Sequence, residues 1–217
     1  MKLSRIKLKI KSLNIDYQVM KQTIFIFLIL GLIFVPNSNQ TAFAQTKTVD
    51  ASTMFWTELQ KLCGKSFAGT VAAAPADDTT FKDKELVMHV RACKKNRIRI
   101  PFFVGADKSR TWVLTRKKDR ILLKHDHRHE DGTPDKVTMY GGWTTSAGAA
   151  TRQMFPADQQ TVDILPAAAT NVWWIDLVAG EYFSYNLRRM GSDRHFSIKF
   201  DLKTEVKMPE TPWGWKN

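Results

Sequence analysis

The chain lacks the features that would mark a common enzyme or a permanent membrane span. Its apolar run at Thr23 to Val35 is about 13 residues, short of the ~20 that cross a bilayer as a helix. No Gly-x-Ser-x-Gly elbow is present, so nothing signals an α/β-hydrolase nucleophile. Strand-like segments do not alternate with helical ones, which argues against a parallel βαβ sheet. There is no internal repeat and no low-complexity tract. The only cysteines are Cys63 and Cys93, and none directly follows the apolar run, which argues against a bacterial lipoprotein. Acidic residues are the minority, with 21 Asp and Glu against 33 Lys and Arg, a formal net charge of +12.

What is present begins with an export signature. Lys21-Gln22, the apolar run and Ala42-Phe43-Ala44 have the order of n-region, h-region and A-x-A cleavage site. We therefore expect residues 1 to 44 to be a cleaved signal peptide and the protein to be periplasmic or extracellular. The stretch before Met20 makes the n-region unusually long, so Met20 is the alternative initiator. Residues 1 to 44 hold six Lys or Arg and one acidic residue, so cleavage lowers the formal charge from +12 to +7. A basic surface outside the cytoplasm can meet an anionic envelope surface, whereas nucleic acid is not an expected partner. Residues 45 to 217 suffice for one domain with a sizeable core. Export favours oxidation, so Cys63 and Cys93 are expected to form a disulfide rather than two buried thiols.

The pattern of that domain is β-rich. Phe55, Leu59 and Leu62 fall at helical spacing between Ser52, a cap residue, and Gly64, a stop, predicting one short helix. Strands are then expected at Ser66 to Val71, Glu85 to Cys93, Arg97 to Val104 and Arg110 to Thr115. Further strands are expected at Thr161 to Leu165, Asn171 to Val178, Tyr182 to Leu187 and Phe196 to Leu202. Pro101 cannot donate to a ladder, so its strand needs an edge or a bulge there. Residues 144 to 160 read as a long loop. Short strands at this spacing predict an all-β fold, an antiparallel barrel of about 8 to 10 strands; a sandwich is the alternative.

The plainest strand pattern runs from Arg120 to Trp143 and reads as a hairpin. Period-two alternation puts Ile121, Leu123, His125, His127, His129 and Asp131 on one face, with Val137 and Met139 on the return strand and Tyr140 a further candidate for it. Two histidines at i and i+2 can aim at one transition-metal ion. The third lies roughly 13 Å from the first along a flat strand, so a pair completed by Asp131 or His89 is the better metal model. The bland reading is a polar strand end held by salt bridges and hydrogen bonds. Trp112, Trp173 and Tyr185 are candidates to line a cavity, or are simple core. Trp173 and Trp174 face opposite sides, so at most one points inward. No residue is assigned a catalytic role.

The stretch Phe55 to Gly69, a short helix running into a glycine-punctuated first strand, resembles the opening of lipocalin-like (calycin) barrels. The Phe196 to Leu202 strand fits the closing strand of such a barrel. Where the family has Gly-x-Trp, this chain has Gly64-Lys65-Ser66 with Phe67 as its first aromatic. The resemblance implies an internal cavity for a small hydrophobic ligand, sometimes haem. The leading expectation is a non-enzymatic exported binding protein for a small apolar ligand or a metal ion. The alternatives are a metal-dependent enzyme using His125 and His127, with Asp131 or Glu130 as base, and an envelope-interaction protein with a basic surface.

Overall fold

The computed structural model describes residues 49 to 215, and the expected signal peptide lies outside the described residues. Asp50 starts the one substantial helix among the described residues, α1 (Ala51–Gln60), by accepting from the Thr53 N–H, so the cap sits two residues before Ser52. Phe55, Trp56 and Leu59 on its buried face join the core. The Trp56 indole N–H donates to the Lys95 carbonyl and Arg116 reaches Thr53, which seats α1 across one end of the strands. Cys63, just past the helix, is disulfide-bonded to Cys93, as expected.

Eleven strands follow: β1 (Ser66–Ala73), β2 (Leu86–His89), β3 (Ala92–Lys94), β4 (Arg97–Val104), β5 (Asp107–Lys117), β6 (Arg120–His127), β7 (Tyr140–Trp143), β8 (Arg152–Pro156), β9 (Asn171–Val178), β10 (Tyr182–Arg189) and β11 (His195–Asp201). All pairings are antiparallel in the order β7-β6-β5-β4-β2-β1-β11-β10-β9-β8, with β3 beside β4. The first strand thus pairs with the last, and the sheet curls until β7 and β8 nearly meet. The result is the expected all-β, nearly closed antiparallel barrel, compatible with a calycin-like fold. No helix among the described residues is long and apolar enough to cross a membrane.

Period-two alternation decides what lies inside. Ile98, Ile100, Phe102 and Val104 on β4 point inward, as do Phe196, Ile198 and Phe200 on β11 and Phe183, Tyr185 and Leu187 on β10. Phe102 stacks on Trp112 with ring centroids 4.8 Å apart, and Phe200 meets Phe102 edge-on. Trp173 is inside and Trp174 outside, where it stacks on His195. Pro101 sits where β4 changes partner. Arg99 pairs with Ala92 of β3 and Phe102 with Met88 of β2, three intervening residues facing two. At that break no N–H is demanded on this side of β4, so Pro101 is accommodated away from any sheet edge.

Two glycines let β7 pack closely on both sides, Gly141 against β6 and Gly142 against β8 at the seam. Gly141 has φ +145°, and a Cβ there would stand 2.0 Å from the Leu123 carbonyl oxygen. A Cβ on Gly142 would stand 1.8 Å from the Pro156 carbonyl oxygen. With no side chain in the way, the Asp158 N–H donates to the Gly141 carbonyl at 2.9 Å, and the Thr161 hydroxyl accepts from the Gly141 N–H. Outside the seam, the buried Lys124 ammonium pairs with Asp158 at 2.7 Å.

Three sequence expectations are corrected. Residues 144 to 160 contain β8, in which Gln153 and Phe155 point inward; Gln153 is tolerated because its amide donates to the Ala147 and Ala149 carbonyls. Thr161 to Leu165 is no strand, for α2 (Gln159–Ile164) covers most of it, capped by Asp158. Val137 and Met139 do not carry the return strand, which starts only at Tyr140.

Gly142→Ala is expected to cost about 3 kcal/mol or more, because backbone must move to admit the methyl. Gly180→Ala, at positive φ but with open space around it, should cost only about 1 kcal/mol. Urea denaturation of both variants checks the contrast. Replacing Cys63 and Cys93 with Ala together should lower stability by roughly 3 to 4 kcal/mol in the same assay, the effect of opening a loop of 30 residues.

Candidate functional site

The end of the barrel opposite α1 gathers the polar side chains that face inward. β5 and β6 run side by side with Arg110 opposite His127 and Trp112 opposite His125, so two adjacent inward rows present Arg, Trp and both histidines. β7 brings Tyr140 opposite His125. β10 contributes Tyr185 from the far wall. These side chains, with Phe102, surround a cavity of about 60 Å³. Phe81, from the loop between β1 and β2, lies over it with its ring edge-on to Phe196 at 5.4 Å. Asp78 shapes that loop by accepting from the N–H groups of Thr80, Phe81 and Lys82.

Hydrogen bonds tie the polar groups into a ladder. His125 Nδ1 is 3.0 Å from the Tyr140 backbone carbonyl. A carbonyl only accepts, so the proton is on Nδ1 and Nε2 accepts from the Tyr185 hydroxyl at 2.7 Å. The Tyr140 ring stacks on His125 at 4.5 Å and 11°, while its hydroxyl lies 3.0 Å from His127 Nε2. Burial sets the protonation states. It drives His125 down to about 3, against the pull of the Tyr140 carbonyl and helped by the charges of His127 and Lys124. Burial also lowers His127, assisted by the Arg110 charge. It pushes the Tyr140 phenol up to about 12 and Tyr185 well above its ordinary value. All four rungs are neutral near pH 7, and Arg110 beside them is ion-paired with Asp107.

The expected site residues divide cleanly. His125 and His127 come together, and Trp112 and Tyr185 line the cavity with them. Trp173 is buried behind the ladder, 5.2 Å from the His125 ring and 5.8 Å from Tyr140. His129 and Asp131 do not join them. β6 ends at His127, and both residues are exposed in the β6–β7 connection, where Asp131 accepts from the Thr133 N–H. His89 is buried at the other end of β2, beside Gly64 and opposite Ser66. Among the described residues, no group of three or more His, Cys, Asp or Glu side chains is placed to hold a metal ion. Both His125 nitrogens are already committed to protein partners.

Sequence reasoning missed Arg110 and Phe81 and passed over Tyr140 as a site residue. Arg110 had a usable signal, since it lies two residues before Trp112 and shares its face. Phe81 had none, because nothing in a polar loop says that one ring turns into a barrel. Compared with known proteins, the chain matches no family model, no curated sequence and no solved structure.

The ladder carries a pH signature. Unfolded His125 takes up a proton below its ordinary 6.5, whereas the folded protein resists protonation down to about 3. The unfolded state therefore binds more protons across that window. Stability should be full above pH 6.5 and fall as pH drops toward 3, by up to about 1.4 kcal/mol per pH unit for this group. His127 and His89, also lowered by burial, act in the same direction. Imidazole ¹⁵N shifts of His125 should stay those of the neutral Nδ1–H form at pH 5; titration between 5 and 7 would mean that water reaches the ladder.

Proposed function

We propose that this is an exported, lipocalin-like binding protein whose barrel mouth takes a small single-ring compound bearing a polar group. One observation carries the reading. A neutral ladder of Tyr185, His125, Tyr140 and His127 borders a small empty space beneath the single ring of Phe81. Burying two phenols and two imidazoles in a barrel costs desolvation that an aliphatic filling would avoid. Stability alone gives no reason for placing them at one end. Such a network is what orients a ligand by a few fixed polar contacts among aromatic walls.

Size narrows the ligand class. A cavity of about 60 Å³ is well below the roughly 150 Å³ that admits benzene. Withdrawal of Phe81 adds the volume of one ring, so one ring is what the mouth accommodates in its place. Arg110 and His127 at the rim favour a hydroxyl, carbonyl or carboxylate substituent. The disulfide and the signal-peptide pattern support action outside the cytoplasm. A metal-dependent role has less behind it, since His127 is the only one of the pair without both nitrogens committed and neither has a third ligand beside it.

Native mass spectrometry of the protein from an exporting host should show a small-molecule mass excess that is lost on denaturation. Phenol and benzoate should quench tryptophan emission, through Trp112, whereas toluene should do so at least tenfold more weakly. Arg110→Gln combined with His127→Ala should weaken benzoate binding on the order of tenfold, the effect of losing one hydrogen bond to a charged group. No mass excess, together with unchanged emission at millimolar phenol and benzoate, would overturn the reading.

A further inference from the structure

The opposite end of the barrel carries a feature that ligand binding at the mouth does not use. Two hairpin tips lie side by side there. The β3–β4 turn follows Lys94, and Arg97 pairs with Thr115; the β5–β6 turn follows Lys117, which pairs with Arg120. The Arg116 N–H donates to the Asn96 carbonyl at 2.9 Å, joining one tip to the other. Lys94, Lys95, Arg97, Lys117, Lys118 and Arg120 are all exposed, and Asp119 is the one acidic residue among them. None of the six forms an ion pair with another described residue.

On the neighbouring tips the cations are balanced. At the same end, the β9–β10 and β11 tips carry Glu181, Asp201 and Glu205 among Lys199 and Lys203, and Glu205 pairs with Lys65. The charge is therefore lopsided, with the β3–β6 side strongly positive. The platform beneath it is held firm by the Cys63–Cys93 disulfide, by Trp56 on Lys95 and by Arg116 on Thr53. Trp143 borders the patch with the Arg120 guanidinium 5.6 Å over its ring. A tryptophan beside exposed cations suits a lipid–water interface, where the ring meets the headgroup layer and the cations meet phosphates.

We propose that these two tips dock the protein on an anionic bilayer surface, with the barrel mouth facing away from it. The chemistry is charge complementarity: each Lys or Arg held near an anionic membrane strengthens partitioning roughly fivefold. Tips projecting from one end suit a plane better than a polyanionic chain, which needs a groove or stripe along which to run.

Cosedimentation of the protein, as recovered from an exporting host, with phosphatidylglycerol-containing and pure phosphatidylcholine vesicles tests this. Binding should require the anionic lipid and weaken between low and physiological salt. Lys117→Gln with Lys118→Gln should reduce partitioning about 25-fold. Lys82→Gln with Lys136→Gln, exposed cations away from the patch, removes the same charge and should leave binding within about twofold. Equal weakening by both pairs would show that net charge alone is at work and would overturn the assignment. So would salt-insensitive binding to neutral vesicles, or tight binding to soluble heparin with none to anionic vesicles.

Discussion

Everything in this barrel depends on closing the gap between β7 and β8 without room for side chains. Gly142 brings the β7 backbone to a distance from Pro156 of β8 that a methyl group would forbid, and Gly141 does the same against Leu123 of β6. Hydrogen bonds with Asp158 and Thr161 then satisfy the Gly141 N–H and carbonyl on the edge of β7. The consequence reaches across the barrel. A dry interior keeps His125 neutral, and a neutral His125 can accept from the buried Tyr185 hydroxyl while donating to Tyr140. An open seam would admit water, and imidazoles near neutrality would titrate. The polar ladder is thus a product of closure as much as of the residues that form it.

The aromatic filling sets the scale of any guest. Trp112 touches Phe102, Phe183, Tyr185 and Phe200 within about 6 Å, so the middle of the barrel is a packed stack rather than a lumen. Ring-on-ring contacts of this kind each contribute of order 1 kcal/mol beyond area burial. The small cavity within the barrel therefore lies at the mouth, above Trp112, where the lining turns from Phe to Tyr and His.

Much of the fold was legible because its strands obey period two with apolar residues. Phe196, Ile198 and Phe200, or Ile98, Ile100 and Phe102, can be placed from letters alone. β8 was illegible because the inward residue beside Phe155 is Gln153, whose amide NH2 donates to the carbonyls of Ala147 and Ala149 in its own loop. α2 was misread because Thr161, Val162 and Ile164 are strand-formers by propensity, and the Asp158 cap with its tie to β7 overrides them. Of the candidate site, His125 and His127 were legible from alternation, which held until β6 ended. His129 and Asp131 were extrapolated past that end, where the connection turns at Gly132 and the rule no longer applies. The partners of the histidines come from β7, β10 and a loop, and no local pattern encodes such long-range company.

The two ends of the barrel are built to different rules. At the α1 end, a disulfide, an indole hydrogen bond and a cross-tip backbone bond fix the positions of the tips. At the mouth, the hydrogen bonds of residues 76 to 84 are local to their own loop: Asp78 to residues 80 to 82, and Lys84 back to Thr79 and Thr80. What joins that loop to the barrel across its middle is the packing of Phe81 against Phe102 and Phe196. Lifting the ring breaks apolar contacts and leaves no buried hydrogen bond of the loop unmade. The free energy of opening is therefore that of exposing one phenyl group, about 2 kcal/mol, which a ring-shaped guest in the same place returns.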